Sequence, residues 1–467
     1  GEVMYFGGLG KSFLVLGSVE VMSEFLEKRS GTTSSRSATP LIELTGSDFN
    51  FGFMPYGQRW RAHRRAFWNY MHRDACRAYQ DIQRGAAHLC LDKILSDPAN
   101  LRKHLKFNFS ASALKAIYGI DIDEKEDVYE KVMHDTTAAV SQGLVPGKWL
   151  VEYLPVLRHV PTWFPGARSQ RIWAKWQAYS LLARNLPYDY ALSAMASDRP
   201  SVQDSIVGRL LANSPVGPPG ADVGAAQGDD IIKNVAAVGY EALITAWQVY
   251  STLLGTMLAL SLNHEVVVKA HAELDAVVGA ARMPDFDDES SLVYIKAIVM
   301  EALRWHNVTS VGVPHATTED QQWRGWFIPS GTVVIANQWY AEACMHDASI
   351  YPDPFAFRPG RFIRNGRIDE TLLSPFQVVF GFGRRICPGR YFGLNGLFIT
   401  VASILHVFDI TAPVDERGQP FKIEPTFTDG FLSYPEDSRC TVLPRSPEHE
   451  KMIRSHAEAY RAARSQS

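Results

Sequence analysis

The spacing of apolar and polar positions predicts a mostly helical chain with a minor β component. Near the N-terminus, apolar runs at residues 3–6 and 13–16 are separated by glycines, which predicts a β-hairpin, and a helix follows at residues 19–28. From about residue 56 to residue 279, apolar residues recur mainly at helical spacing, and prolines mark the loops.

The rest of the chain continues this mixture of helices and short strands, and the sequence contains no internal repeats. We therefore expect one domain over residues 1–467. Its class is mainly α with small β-sheets. Residues 145–166 predict a lid-like connection, and residues 213–230 a flexible surface loop. The later predicted elements are a long apolar segment at 231–262, helices at 266–278 and 291–305, and strands at 323–328 and 332–336 joined by the turn Pro329-Ser330-Gly331.

Composition narrows the class of protein. With 46% hydrophobic and 21% charged residues, the chain is globular rather than disordered or coiled-coil. The net charge of -3 gives no reason to expect nucleic acid as a partner. No stretch approaches the roughly 18 consecutive apolar residues that span a bilayer. Because the chain opens at Gly1 and not at methionine, we expect any N-terminal membrane anchor to precede it.

One of the five scattered cysteines, Cys387, lies in a glycine-rich loop with candidate chemistry. Glycines in this loop permit tight turns and the close approach of a flat ligand. A cysteine just before a helix is stabilised as thiolate, a strong axial ligand for haem iron, and Arg385 can reach a carboxylate such as a haem propionate. The alternative is a buried structural cysteine. The loop reads Phe380-Gly381-Phe382-Gly383-Arg384-Arg385-Ile386-Cys387-Pro388-Gly389.

This loop resembles the cysteine loop of the cytochrome P450 family, and the resemblance extends over essentially the whole chain. The spacing of Phe380, Gly383, Arg385, Cys387 and Gly389 matches that of the family. Two further motifs resemble those of microsomal enzymes from basidiomycete fungi: Tyr351-Pro352-Asp353-Pro354 and Val145-Pro146-Gly147-Lys148. The resemblance implies a P450 fold, haem b as cofactor with Cys387 as its metal ligand, and contacts to the haem from Phe380 and Gly381.

The resemblance also implies a structural ion-pair triad. Glu301 and Arg304 are three residues apart and share a face of the helix at 291–305. On a solvated helix such a pair contributes only a few tenths of a kcal/mol. In the family the pair is buried and a later arginine joins it, here Arg361, although Gly360 stands where the family usually has Glu. A second guanidinium satisfies the carboxylate oxygens that a buried pair must satisfy.

Further residues are expected to hold the haem propionates. Trp60 and Arg64 are four residues apart, so on a helix an indole N–H and a guanidinium share one face. The resemblance implies that both bind a propionate together with Arg385, and that His315 makes a further contact. The alternatives are an exposed basic helix and a histidine satisfied by its surroundings.

The resemblance implies three partners: dioxygen, a small lipophilic substrate and NADPH–cytochrome P450 reductase. It also implies residence at the cytosolic face of the endoplasmic reticulum membrane. A basic patch near the cysteine loop would attract an acidic electron donor, although a solvated face explains the same charges. Its expected members are Arg59, Arg61, His63, Arg65, Arg384 and Arg390.

The central helix departs from the family pattern Ala-Gly-x-Asp/Glu-Thr-Thr, whose acid and alcohol relay protons. In the direct register this chain reads Ala242-Leu243-Ile244-Thr245-Ala246-Trp247, and in a slipped register Glu241 fills the acid position. The candidate catalytic groups are therefore Thr245 and Glu241. Two alternatives to a monooxygenase stay open: a haem-thiolate isomerase or dehydratase that needs no dioxygen, and a haem-binding inactive paralogue.

Overall fold

The structure is a computed structural model. It describes residues 2–8, 10–37, 39–122, 128–143, 148–197, 199–213, 223–244, 247–309, 312–337, 345–429 and 432–465.

Helices form most of these residues, as the apolar spacing predicts. The helices are α1 (Val19–Met22), α2 (Ser30–Thr33), α3 (Pro40–Leu44), α4 (Gln58–Met71), α5 (Gln80–Ser96), α6 (Leu101–Tyr118), α7 (Val128–Gly143), α8 (Arg168–Met195), α9 (Pro200–Gln203), α10 (Ile206–Ala212), α11 (Val223–Ile244), α12 (Trp247–Leu262), α13 (His264–Val277), α14 (Val293–Trp305), α15 (Arg390–Val407) and α16 (Pro447–Ser465).

The strands form four small sheets in the described part of the chain. The largest has the order β1-β2-β6-β3, and the predicted N-terminal hairpin is its β1-β2 edge, with Val3 opposite Leu16. The strands are β1 (Val3–Gly8), β2 (Lys11–Leu16), β3 (His315–Ala316), β4 (Gln321–Trp323), β5 (Trp326–Ile328), β6 (Val333–Ala336), β7 (Ile363–Arg364), β8 (Arg367–Ile368), β9 (Phe408–Thr411) and β10 (Thr441–Pro444).

Two helices, α4 and α15, position the residues that matter below. Helix α4 is amphipathic: Trp60, His63, Phe67 and Met71 recur at spacings of three and four and are buried. Helix α15 begins after Gly389 and is apolar on nearly all sides from residue 396 onward, so it lies inside the core. It packs against α5, α12, α13 and α14, while α11 packs against α4, α6 and α8.

Several predicted boundaries were wrong. The strand at 323–328 is a hairpin of β4 and β5, because Arg324 and Gly325 have φ values of 49° and 81° and reverse the chain. Strand β6 pairs with β2 and β3 and not with β5, so Pro329-Ser330-Gly331 connects two sheets. The loop at 213–230 is shorter than predicted, because α11 begins at Val223.

Other predictions need smaller changes. The helix predicted at 19–28 is α1 followed by the π-helical segment Ser23–Glu27. The segment at 231–262 contributes to two helices, α11 and α12, and residues 245–246 between them lie outside the described residues. Helix α15 begins at Arg390, so Pro388 and Gly389 precede it. In the lid-like stretch, residues 144–147 are outside the described residues, and short 3₁₀ turns follow at Leu150–Glu152 and Pro155–His159.

Within the described ranges, no single helix is both long and apolar enough to cross a bilayer. One sharply bent pair, Val249–Leu262 with His264–Val277, passes the same criteria of length and composition.

Candidate active site

The cysteine loop closes on itself through one backbone hydrogen bond. The amide N–H of Cys387 donates to the carbonyl oxygen of Phe380 at 2.7 Å. Gly381 and Gly383 have φ values of 77° and 57°, in the left-handed region that favours glycine. At Gly383 a Cβ would lie 2.2 Å from the carbonyl oxygen of Leu26, so only glycine fits there. These turns hold Cys387 just ahead of α15, as the sequence predicts.

The surroundings of Cys387 act on its thiol in opposite directions. Burial raises the pKa of the thiol, while the backbone amides of Gly389 and Arg390 and the cations of Arg64 and Arg390 favour the thiolate. Among the described residues, no group of three or more His, Cys, Asp or Glu side chains could hold a metal ion. An iron bound by the Cys387 sulfur therefore needs its other ligands from a cofactor, which is what a porphyrin supplies.

Four cationic or ionisable side chains converge near the cysteine loop, and we call Arg36, Arg64, His315 and Arg385 the cationic cluster. Arg385 donates to the carbonyl oxygens of Ser34, Phe51 and Met54 at 2.7, 3.1 and 2.6 Å. Arg64 donates to the carbonyl oxygen of Ile386 at 2.5 Å, and Nδ1 of His315 lies 2.9 Å from the carbonyl oxygen of Thr33.

Arg36 completes the cluster, and the sequence reasoning missed it. Its guanidinium donates to the carbonyl oxygens of Gly52, Val313 and Pro314 at 2.9, 2.6 and 2.9 Å. The surrounding sequence, Ser34-Ser35-Arg36-Ser37, has no motif that would single out the arginine. Only the contact between three distant segments identifies it.

The cluster is electrostatically uncompensated. No carboxylate of the described residues forms a salt bridge with any of its members. Burial and the neighbouring cations lower the pKa of Arg385 to about 9 and that of Arg64 to about 10, and they hold the pKa of His315 well below its ordinary value. His315 is therefore neutral, and the positive charges are the buried guanidinium group of Arg385 and the half-buried ones of Arg36 and Arg64. Such charges require an anion. The two propionate carboxylates of haem b fit this requirement beside Cys387.

Trp60 belongs to the same site. It is buried on α4, and the guanidinium carbon of Arg385 lies 4.5 Å from the centroid of its ring. The structure therefore brings Trp60, Arg64, His315 and Arg385 into one neighbourhood with Cys387. Their contact with the propionates stays a prediction, as do the haem contacts of Phe380 and Gly381.

The ion-pair triad is assembled as expected and lies apart from the cluster. Glu301 accepts from Nε and Nη2 of Arg304 at 2.7 and 2.9 Å, from Nε of Arg361 at 3.1 Å and from the backbone N–H of Arg358 at 2.7 Å. Glu301 and Arg304 are fully buried. Two guanidinium groups and an amide satisfy the carboxylate, so Gly360 in place of Glu leaves no donor of the triad missing.

Of the two candidate catalytic groups, only Glu241 lies in the described part of the chain, since Thr245 falls outside it. Glu241 is buried on α11 and accepts a hydrogen bond of 2.8 Å from Nδ2 of Asn50. Burial raises the pKa of its carboxyl to about 7, and the bond from Asn50 opposes that rise. A carboxyl with this pKa can hold or release a proton near neutral pH, which is what a general acid requires. Its catalytic role stays a prediction.

Two cavities adjoin the site. A small one of about 40 Å³ lies between α12, α14, α15 and the cysteine loop, and Thr252 and Phe380 line it. A larger one of about 290 Å³ opens between the β1-β2-β6-β3 sheet and α3. Arg36, a member of the cationic cluster, lines this larger cavity, so the cavity lies beside the cluster. Its walls are mainly apolar, from Phe13, Leu41, Ile42, Phe53, Val313, Pro314 and Val333.

The expected basic patch is smaller than predicted. Arg59, Arg61, Arg65 and Arg384 are exposed. His63 is buried, with Nδ1 2.8 Å from the carbonyl oxygen of Arg59 and Nε2 3.2 Å from Nδ2 of Asn234. The inclusion of His63 in the patch was therefore wrong, because the helical period turns it toward the core. Arg390 is half-buried against the rings of Trp68 and Tyr391.

Comparisons with known proteins identify the family of this chain. The family profile for Cytochrome P450 matches residues 249–438. A cytochrome P450 monooxygenase of Coprinopsis cinerea, COX2, is 35% identical over 99% of this chain and 86% of its own length. Tryptamine 4-monooxygenase of Psilocybe cyanescens is 31% identical over 97% of this chain and 87% of its own. A zebra fish cytochrome P450 structure aligns with a TM-score of 0.73 at 20% identity, covering 96% of this chain and 97% of that one, and shows the fold.

Proposed function

This chain belongs to the cytochrome P450 family and is a haem-thiolate monooxygenase with haem b as its cofactor, and we propose that it oxidises or hydroxylates a small lipophilic metabolite with electrons from NADPH–cytochrome P450 reductase. The observation that carries this proposal is the position of Cys387 beside a largely buried cationic cluster that has no carboxylate partner among the described residues.

The residues of the site have separate tasks in this proposal. The sulfur of Cys387 would ligate the iron, and Trp60, Arg64, His315 and Arg385 would hold the propionates. Arg36 would neutralise the same carboxylates from the side of the larger cavity. When bound, haem b supplies the centre at which dioxygen is activated for insertion of one oxygen atom into a substrate.

The larger cavity supports a lipophilic substrate. Its volume of about 290 Å³ is near the lower end for sites that take a small organic molecule, and most of its lining is apolar. Its charged residues are Lys11, Arg36 and Glu152, and the other polar residues of the lining are Ser37, Thr39 and Tyr153. An apolar wall with few charged groups favours a compact, mostly apolar molecule over a highly charged one.

Proton supply is the step at which this chain differs from the family pattern. Glu241 is a buried acid of the central helices with a pKa of about 7, and it would hold the proton that oxygen activation consumes. Ala242 follows it where an alcohol would stand in the slipped register. That alanine favours one other candidate function, a haem-thiolate isomerase or dehydratase that consumes neither dioxygen nor NADPH.

Exposed arginines near the cysteine loop support an acidic electron donor. Arg59, Arg61 and Arg65 project from α4, and Arg384 lies three residues before Cys387. Among described residues, none of the four has a salt bridge to a carboxylate. A positive surface beside the thiolate would increase the association rate of a negatively charged flavoprotein, and salt would weaken the effect.

We propose that the protein resides at the cytosolic face of the endoplasmic reticulum membrane. Large apolar side chains are exposed along residues 150–164, and Trp163 is 78% exposed. Lys148, Arg158 and Arg168 lie in or beside the same stretch. Exposed apolar side chains with a tryptophan and flanking cations are suited to a bilayer interface. The exposed residues are Leu150, Tyr153, Leu154, Val156, Trp163 and Phe164.

Turnover with a lipophilic substrate panel tests the function. The haem-loaded protein is incubated with purified reductase, and products are quantified with and without NADPH and with and without dioxygen. We expect oxygenated products only when both are present, carrying label from ¹⁸O₂. Products that form equally without either reagent would establish the isomerase or dehydratase instead.

A further inference from the structure

The hydrogen bond between Asn50 and Glu241 is the first step of a continuous connection from α11 to the cationic cluster. The side-chain amide of Asn50 uses both of its ends. Nδ2 donates to Glu241 at 2.8 Å, and Oδ1 accepts from the backbone N–H of Gly52 at 2.8 Å. Asn50 is therefore fixed to the central helix on one side and to its own turn on the other.

The turn itself, residues 47–54, has a defined shape. The N–H of Asn50 donates to the carbonyl oxygen of Ser47 at 3.0 Å, and its own carbonyl oxygen accepts from Phe53 at 2.9 Å. A Cβ at Gly52 would lie 2.9 Å from Oδ1 of Asn50, so a larger residue there would displace the side chain. We call residues 47–54 the Asn50 turn.

Three carbonyl groups of the Asn50 turn hold the two most highly coordinated arginines of the cluster. The oxygens of Phe51 and Met54 accept from Arg385, and the oxygen of Gly52 accepts from Arg36. Each of these guanidinium groups donates three hydrogen bonds to carbonyl oxygens. The turn accepts two of the three from Arg385 and one of the three from Arg36. The turn therefore supplies most of the bonds that hold Arg385 and part of those that hold Arg36.

We propose that Asn50 is a positioning residue, which holds the Asn50 turn against Glu241 and thereby fixes Arg36 and Arg385 where the haem propionates bind. The inference rests on the proposed function, because it needs haem b beside Cys387. It is independent of the predicted role of Glu241 as a proton donor, since the carboxylate acts here only as an acceptor. Among the hydrogen bonds of the described residues, none joins the Asn50 side chain to Cys387 or to a member of the cluster.

Loss of the Asn50 amide has two expected consequences for the haem-loaded protein. The two arginines would gain freedom, so the propionates would be held less well and haem would dissociate about tenfold faster, as the loss of one buried hydrogen bond implies. Cations near the haem favour its reduced, more negatively charged form. Loosening them would therefore shift the reduction potential to a more negative value. Ligation by Cys387 would be unchanged.

The experiment compares Asn50→Ala and Glu241→Leu, which break the bond, with Glu241→Gln, whose amide oxygen can still accept it. Asp48→Ala is the matched control, because Asp48 is exposed in the same turn. The measurements are the rate of haem transfer to apomyoglobin, the reduction potential from a dithionite titration and the ferrous carbon-monoxide spectrum. The urea midpoint of unfolding is recorded for each protein.

We expect faster haem loss and a more negative potential in Asn50→Ala than in the wild type, and in Glu241→Leu than in Glu241→Gln, because each pair carries the same charge. Glu241→Gln and Asp48→Ala should lose haem at the wild-type rate. A thiolate-type spectrum throughout would keep the proposed function intact. If Asn50→Ala does not fold, Glu241→Leu tests the same bond from the helix side. Bond-breaking variants with the potential and haem-transfer rate of Asp48→Ala would overturn the inference, as would a lowered urea midpoint with no change in potential. A wild-type protein without a thiolate-type spectrum would instead refute the proposed function.

Discussion

The guanidinium group of Arg385 stacks on the indole ring of Trp60, with 4.5 Å between the guanidinium carbon and the ring centroid. The two residues are far apart in the chain, one from α4 and the other from the cysteine loop. Their contact brings two segments that the sequence assigns separately to propionate binding into one wall. It also gives Arg385 a geometry that depends on a planar cation.

We expect Arg385→Lys to lose most of its haem. A lysine ammonium cannot reproduce the fork of three hydrogen bonds to Ser34, Phe51 and Met54, nor the stacking on Trp60. The cost is about 2–3 kcal/mol, typical of lost bonds to a charged group. The ratio of haem to protein after purification measures it. The control is Arg384→Lys on the exposed neighbour, and equal haem content in both variants would contradict the prediction.

Replacement of Cys387 by serine should abolish the thiolate-type absorption of the ferrous carbon-monoxide complex. Serine keeps the size and the backbone bond to Phe380 but removes the sulfur that donates to the iron. The control is Cys440→Ser, since Cys440 is a free cysteine outside the loop. A red-shifted Soret band that survives in Cys387→Ser would show that another side chain ligates the iron.

Loss of the buried carboxylate in the triad should destabilise the whole protein. In Glu301→Gln the fully buried Arg304 loses its counter-charge, and removing one partner of a buried pair typically costs about 3–5 kcal/mol. We expect a large fall in the thermal midpoint of unfolding together with loss of haem.

The matched control for the triad is Glu265→Gln, an exposed carboxylate in the first turn of α13, which should lower the midpoint only slightly. Glu301→Gln with a midpoint equal to that of Glu265→Gln would show that the triad contributes nothing to stability. A substitution of Arg361 should have an intermediate effect on the thermal midpoint. Arg361 is one of the two arginines that bind Glu301, and it also binds three carbonyl groups. Arg361→Lys should therefore lie between the two glutamine variants.

The parts of the site that could be predicted from sequence are those that a local pattern fixes. The cysteine loop needs glycines at positions with positive φ, as at Gly381 and Gly383, so its shape is visible in the residue types. Glu301 and Arg304 share a helix face because they are three residues apart. The N-terminal hairpin follows from two apolar runs separated by glycines.

The parts that could not be predicted depend on contacts between distant segments. Arg36 is identified only by carbonyl groups from residues 52, 313 and 314, and Asn50 only by its bond to Glu241. The apolar pattern also predicted a single strand at 323–328 where the chain forms a hairpin. In Trp323-Arg324-Gly325-Trp326, only the glycine indicates a turn. His63 faces the core because it lies three residues after Trp60 and four before Phe67 on α4, although its side-chain type is typical of a surface position.

The pKa of Glu241 predicts how stability depends on pH. Burial raises this pKa from its ordinary 4.5 to about 7. Between these values the folded chain keeps a proton that the unfolded chain has released, so stability falls as pH rises from about 4.5 to about 7 and the cost is fully present above that. The full cost is on the order of 3 kcal/mol. Glutamine cannot ionise, so Glu241→Gln should not show it.

Urea unfolding of the wild type and of Glu241→Gln at a series of pH values from 5 to 8 measures the difference. As the pH rises, the free energy of unfolding of the variant should increase relative to that of the wild type. The contributions of the other titrating groups cancel in this difference, because both proteins carry them. Glu458→Gln, on the exposed face of α16, should follow the wild type at every pH. Parallel curves for the wild type and Glu241→Gln would mean that the carboxyl is ionised throughout this range, and a buried anion would then need a cation that Asn50 does not supply.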